Sequence, residues 1–287
     1  MTSSTATATP GSAYLHRHPR LRLAGVLGAP LLWLGVVYLG ALAALLVSSL
    51  WVQDSFTSEV FRTWTLANFR DLLTEPLYRT VLLRTLLVAA LVTLVDLALA
   101  LPIAFFMAKV ARPRTARLLV VACLMPLWAS YLVKAYAWRL LVIDNGVLDS
   151  TVGLTPGFGL TAAVLTLSYL WLPYMILPIY SGLDRLPDSL LEASEDCGAR
   201  PWRTFASVVW PSILPSVVAG SIFTFSLTLG DYITIEIVGG ASQMLGNLVY
   251  DQQSLNLPLA AAIATFSVVV MGLYLLLVRR TGALDQL

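Results

Sequence analysis

Long apolar stretches alternate with short polar segments along almost the whole chain. Six stretches reach the length of about 20 mainly apolar residues that a helix needs to cross the hydrocarbon core of a bilayer. They are Gly25 to Trp51, Val81 to Ala108, Leu118 to Ile143, Leu160 to Gly182, Ile213 to Val238 and Leu257 to Val278. The pattern predicts an all-α, polytopic membrane protein with six transmembrane helices within residues 25–280. A partly disordered N-terminal tail over residues 1–24 and a short C-terminal tail over 281–287 flank this domain.

Composition and charge agree with a membrane protein. The chain has 58% hydrophobic and 12% charged residues and a mean hydropathy of +0.80, whereas about a quarter of the residues of a soluble protein are charged. If the N-terminus lies inside, twelve of the 18 Lys and Arg residues fall on the cytoplasmic side, as the positive-inside rule requires. We therefore expect a multi-pass protein of the bacterial inner membrane with both termini in the cytoplasm. The net charge of +2 reflects this orientation and does not indicate nucleic-acid binding.

The longest polar interruption, Asp184 to Pro211, falls on the cytoplasmic side of this topology. Ser189 and Glu192 have the spacing of a capping box, which predicts a short helix from about Leu190 to Cys197. Gly198 suits the left-handed position just past a helix end, and Pro201 suits the first turn of a second helix. The loop is thus predicted to contain two short helices separated by a bend.

Three acids of this loop, Glu192, Glu195 and Asp196, are spaced so that they share one face of the first helix. The segment also resembles the EAA signature of binding-protein-dependent ABC importer permeases. The matching positions are Glu192, Ala193, Ser194, Gly198 and the run Val208 to Pro211, with Ser194 and Trp210 departing from the usual Ala and Leu. The resemblance implies the type I importer permease (MetI-like) fold. It also implies that the loop, residues 183–211, couples the permease to an ATPase through Glu192, Ala193, Asp196, Gly198 and Pro211.

The partners and cofactors implied by the resemblance lie outside this chain. They are a second permease subunit, either a similar chain in a heterodimer or a second copy of this chain, together with a dimer of ATPase subunits and an extracytoplasmic solute-binding protein. A P-loop needs a Lys after a Gly-rich turn, and neither Lys109 nor Lys134 follows one. We therefore expect a non-catalytic transport subunit that binds no cofactor, with ATP and Mg used by the partner ATPase. With two histidines, both near the N-terminus, no metal site is predicted.

A second resemblance narrows the subfamily. The run Tyr131 to Trp138 and the run Gly230 to Thr234 with Gly239 and Gly240 are similar to spermidine/putrescine permeases of the PotB kind. This implies a polyamine or a related small cation as the solute. Other solutes of the same importer class, such as amino acids, phosphonates or iron, are alternatives.

Acids at membrane depth are costly and therefore tend to face a cavity or a partner. The chain has Asp96 near the middle of the second predicted helix, and Asp231 and Glu236 near the outer end of the fifth. A cationic solute also suits aromatic faces, and the available rings are Tyr136, Trp138 and Tyr232. We take these six residues as candidates for the solute pathway. The alternative is that the rings belong to an interfacial aromatic belt and that Asp96 bonds a neighbouring helix.

Two other function classes compete with an importer subunit. In an ion-coupled secondary carrier, Asp96 would be the intramembrane acid. A membrane-embedded enzyme acting on a lipid would need a nucleophile, an acid–base pair or a metal cluster, and the polar loop offers carboxylates alone. At the loop itself, the competing interpretation is an ordinary cytoplasmic loop whose acids complement a helix dipole.

Overall fold

The computed structural model describes residues 27–28, 30–54, 57–143, 146–153 and 156–279. The tails predicted over 1–24 and 281–287 lie outside these residues. In chain order the described helices are α1 (Pro30–Ser48), α2 (Ala67–Thr74), α3 (Pro76–Val110), α4 (Pro113–Trp128), α5 (Tyr131–Val142), α6 (Val147–Val152), α7 (Leu160–Arg185), α8 (Asp188–Asp196), α9 (Pro201–Leu229), α10 (Ile233–Val238), α11 (Leu245–Leu255) and α12 (Leu257–Arg279). A two-stranded antiparallel hairpin, β1 (Val52–Gln53) and β2 (Val60–Phe61), lies between α1 and α2.

Six membrane crossings fit the described helices. Five helices, α1, α3, α7, α9 and α12, are each long and apolar enough to span a bilayer, and α4 and α5 together make a sixth candidate. The prediction of one continuous third helix, Leu118 to Ile143, is wrong in its geometry. The chain bends by 95° between α4 and α5, because Ala129 and Ser130 adopt extended backbone angles.

The fifth predicted helix, Ile213 to Val238, is also divided. The observed helix α9 begins twelve residues earlier, at Pro201, and ends at Leu229, after which Gly230 to Tyr232 interrupt the helix before α10. The second helix predicted in the polar loop is therefore the first part of a membrane-spanning helix. Asp231, predicted inside a span, lies in the interruption.

The core of the bundle is formed by α3, α7 and α9, and α7 makes more extensive contacts with α9 and with α3 than any other pair of described elements makes. Small residues permit close approach of these helices. A Cβ atom placed on Gly220 of α9 would lie 2.7 Å from Sδ and 3.2 Å from Cα of Met175 on α7. The close packing predicts that this helix pair is a rigid part of the fold.

The first helix is peripheral. None of the residues in the most apolar window of α1 is buried, and Trp33 and Tyr38 are each 68% exposed. Its C-terminal half, Leu39–Ser48, packs against α12. Such an outward apolar surface fits a helix that is surrounded by lipid or by another membrane subunit.

Candidate functional sites at the two ends of the bundle

The polar loop forms the helix–bend–helix predicted from its sequence. Helix α8 ends at Asp196, and Gly198 has a φ angle of +73° in the left-handed region. The amide of Gly198 donates to the carbonyl of Glu195 at 2.7 Å, and the amide of Ala199 donates to the carbonyl of Ser194 at 3.1 Å. This pair of bonds is a Schellman motif, which ends the helix and explains the need for glycine.

The predicted capping box is absent. Helix α8 begins at Asp188, its N-cap is Pro187, and no side chain caps it. Ser189 therefore lies inside the first turn, where its hydroxyl cannot take the N-cap position. The Asp188 carboxylate instead stabilises the positive end of the helix dipole. It also forms a 2.7 Å salt bridge with Lys109 at the end of α3.

The loop presents charge outward while its apolar side holds it to the bundle. Glu192, Ala193 and Asp196 are exposed, so the predicted acidic face is available to a partner. Leu191 packs on the buried cluster shared by the loop ends of α3, α7 and α9, and the hydroxyls of Ser194 and Thr204 lie 2.9 Å apart. The two halves of the loop are therefore joined to each other and to the spanning helices.

Pro211 has a different place from the rest of the signature. It lies within α9, directly after a π-helical segment, Phe205–Val209, and Trp210. Because proline lacks the amide hydrogen that the regular helix requires, a local π-type irregularity is the expected accommodation. Pro211 thus shapes the spanning helix next to the loop.

At the opposite end of α9, Asp231 is held by three donors. Its carboxylate accepts hydrogen bonds from the phenol of Tyr131, from the Thr234 amide at 2.9 Å and from the Thr234 hydroxyl at 3.2 Å. The residue is 7% exposed. These donors stabilise a carboxylate that would otherwise be costly to bury.

Asp231 lines a small chamber of about 260 Å³. Three aromatic residues, Tyr131, Trp171 and Tyr232, contribute to its walls, and the rings of Tyr131 and Trp171 stack at 5.9 Å. Tyr131 is the first residue of α5, so the 95° bend before α5 brings the phenol to Asp231. A carboxylate beside aromatic faces is the arrangement that an ammonium group prefers.

The structure brings together only some of the six pathway candidates. Asp231 and Tyr232 share the chamber. Glu236 is exposed on α10, and its carboxylate accepts a 3.3 Å hydrogen bond from Asn247, whose amide also donates to the carbonyl of Tyr232 at 3.1 Å. Tyr136 and Trp138 do not line the chamber: Tyr136 is 54% exposed, and Trp138 packs on Tyr169 at 5.5 Å.

Asp96 is fully buried in α3 and does not line the chamber. Neither carboxylate oxygen has a hydrogen-bond partner among the described residues, and the buried hydroxyl of Ser168 on α7 also lacks one. Ser168 nevertheless interacts with the Asp96 carboxylate, without meeting the geometry of a full hydrogen bond, so the alternative in which Asp96 contacts a neighbouring helix stays a prediction.

Sequence reasoning missed Tyr131 and Trp171 as parts of the chamber. Tyr131 belongs to the run that resembles spermidine/putrescine permeases, but its pairing with a residue 100 positions away is a tertiary contact. Nothing in the sequence around Trp171 distinguishes it from the other residues of an apolar helix. The sequence directed attention to this region through Asp231 and the run Gly230 to Thr234, but it did not show which residues of other helices meet them.

Comparisons with known proteins show the family to which the chain belongs. The chain is 42% identical to the inner membrane ABC transporter permease protein YdcU of Escherichia coli (strain K12), with 96% of this chain and 95% of that protein covered. It is 33% identical to the spermidine/putrescine transport system permease protein PotB of the same organism, with 80% and 86% covered.

A crystal structure of a bacterial ABC transporter that imports the acidic polysaccharide alginate has a chain with the same fold. The TM-score is 0.68 at 14% identity, and 95% of this chain and 98% of that chain are covered. The fold expected from the resemblance, that of a type I importer permease, is confirmed. The sequence model for the binding-protein-dependent transport system inner membrane component matches residues 83–283. The chain belongs to this family and is the multi-pass inner-membrane permease subunit of an ABC importer.

Proposed function

We propose that this permease subunit conducts a small cationic solute of the polyamine class, such as spermidine or putrescine. The observation that carries the proposal is the Asp231 carboxylate in a chamber walled by aromatic rings. An ammonium group gains from both the charge and the ring faces. The 33% identity to a spermidine/putrescine permease supports the same solute class.

Energy for transport is proposed to come from a separate ATPase dimer, which binds ATP and Mg. The exposed acids of α8 support docking of this partner at the loop, where Glu192 would pair with a basic residue. Movement of the loop would reach the bundle through Leu191 and through the Lys109–Asp188 ion pair. The loop and both chain termini would then face the cytoplasm.

The chamber at Asp231 would be completed by other subunits. Tyr232 is 36% exposed, so this chain does not close the chamber by itself. A second, similar permease subunit in a heterodimer would provide the opposite wall. An extracytoplasmic solute-binding protein would deliver the solute to this end.

Exchange of Asp231 for Asn tests the proposal. Asn retains an oxygen that accepts from the Thr234 amide, but it removes the charge. We expect Asp231→Asn to raise the KM for putrescine and spermidine about 10-fold or more, the loss typical of a hydrogen bond to a charged group. Initial uptake rates of the labelled amines are measured in proteoliposomes that contain both permeases, the ATPase and the binding protein.

Asp71→Asn is the matched control, since Asp71 is an exposed acid on α2 and should leave the KM unchanged. An unaltered KM in Asp231→Asn would remove Asp231 from the solute site. Failure of the unmodified transporter to take up either amine would overturn the assignment of the solute class.

A further inference from the structure

A second chamber adjoins the one at Asp231. It has a volume of about 450 Å³ and lies between the end of α9, helix α11 and helix α12. Gly230 and Tyr232 line both chambers, so Tyr232 forms part of the wall between them. A solute that reaches Asp231 therefore has room on the other side of this ring.

The wall of the second chamber carries a pair of stacked tyrosines. The rings of Tyr232 and Tyr250 are nearly parallel, at 14°, with their centroids 4.9 Å apart. Tyr250 is 54% exposed, so the pair is accessible from outside. Stacked rings of this kind present a flat face of negative potential to a cation.

The tyrosine pair is held at a fixed distance from Asp231. A Cβ atom on Gly246 of α11 would lie 2.8 Å from the backbone oxygen of Asp231 and 3.0 Å from Cβ of Tyr232, so the two backbones are in direct contact. The amide of Leu245, at the start of α11, donates to the hydroxyl of Thr85 on α3 at 2.9 Å. Helix α11 is thus fastened to the interruption in α9 and to the core.

The polar groups of the second chamber suit a positive charge. Its described lining includes the polar residues Gln253 and Ser267, and it includes neither Lys nor Arg. The exposed carboxylate of Glu236 lies nearby, bridged to Tyr232 through Asn247. An acid near an uncharged, aromatic wall raises the local concentration of cations.

We infer that the second chamber binds a distal ammonium group of a linear diamine or oligoamine whose first ammonium group binds Asp231. Tyr250 provides the ring face, and Gln253 provides an acceptor oxygen. The inference rests on the proposed function and adds to it a preference for linear amines with at least two charges. Tyr250 thereby becomes a determinant of solute specificity.

Truncation of Tyr250 tests this inference in the complete transporter. We expect Tyr250→Ala to raise the KM for spermidine and putrescine by roughly 2- to 30-fold, the range of a cation–π contact, with little change in kcat. Tyr250→Phe keeps the ring and should retain the KM of the unmodified protein. Butylamine, which has one ammonium group, should inhibit putrescine uptake with the same inhibition constant in the unmodified protein and in Tyr250→Ala.

Leu255→Ala is the control on the same helix, because Leu255 is 66% exposed and does not line this chamber. Copurification of the ATPase with each variant shows whether it has folded and assembled. If Tyr250→Ala transports both amines with an unchanged KM, or if Tyr250→Phe is as impaired as Tyr250→Ala, the inference is overturned while the proposed solute class stands. If the unmodified transporter takes up neither amine, the proposed function itself fails and the inference fails with it.

Discussion

At Gly246, a single added atom would disturb the geometry of the proposed solute site. A methyl group there would overlap the backbone of Asp231 and the side chain of Tyr232. We expect Gly246→Ala to push α11 away from the interruption in α9 and to lower the free energy of unfolding by about 1–3 kcal/mol, as overpacking does in a tight core. Thermal unfolding in detergent measures the loss of stability, and amine uptake measures the consequence of displacing α11.

Gly272 offers a matched control for the same substitution. It lies in α12, and a Cβ atom there would have nothing within 4 Å. Gly272→Ala should therefore be neutral or slightly stabilising, since alanine favours a helix more than glycine does. Equal unfolding temperatures for the two variants would show that α11 can yield at Gly246 without strain.

Two buried acids of the chain illustrate how differently the same side chain can be accommodated. Asp231 has three hydrogen-bond donors and faces a chamber, whereas Asp96 is fully buried and interacts with Ser168 without a well-formed hydrogen bond. An unpartnered buried polar group costs free energy. The hydropathy scale gives both residues the same value, so the sequence alone does not distinguish their roles. These roles follow from tertiary contacts.

At the scale of elements, helix α8 presents a charged surface that suits contact with a partner outside the bundle. Its acids are exposed, and its apolar side packs on the ends of the spanning helices. We expect Glu192→Arg to abolish amine uptake and to weaken copurification of the ATPase, because the charge reversal places a repulsive group at the proposed contact. The permease itself should fold normally, since Glu192 is exposed.

Asp71→Arg reverses a charge at the opposite end of the bundle and should preserve both uptake and ATPase binding. Normal uptake by Glu192→Arg would contradict the assignment of α8 as the docking helix. Loss of uptake with undiminished ATPase binding would place the defect after docking, in the transmission of movement through the loop.

The sequence predicted where helices form better than it predicted the directions in which consecutive helices run. The bend at Gly198 and the helix start at Pro201 followed from local backbone preferences, and the structure confirms both. The 95° bend before Tyr131 was missed because apolar composition continues across it, and hydropathy is insensitive to backbone direction. For the same reason, the pairing of Tyr131 with Asp231 could not be predicted without the fold.

At the scale of the whole molecule, helix length separates the two candidate sites by most of a membrane. Helix α9 has 29 residues, which at 1.5 Å per residue extends about 43 Å, longer than the hydrocarbon core of about 30 Å. Its first residues therefore carry the loop beyond the hydrocarbon at one end, and Asp231 lies two residues beyond its last residue at the other. Coupling between ATP use and solute release must then pass along α9 and its packing partners.

The orientation of α9 across the membrane can be measured with a cysteine that the polar loop before α9 already contains. Cys197 is exposed beside Gly198, whereas Cys123 is partly buried in α4. In a Cys123→Ser background, a membrane-impermeant maleimide should label Cys197 in inverted vesicles and leave it unlabelled in right-side-out vesicles, because the excess of Lys and Arg predicts that the loop lies in the cytoplasm. A Glu59→Cys variant that also lacks Cys197, at the exposed hairpin of the opposite end, should show the reverse pattern. Labelling of Cys197 from outside would contradict the orientation and, with it, the docking of a cytoplasmic ATPase at α8.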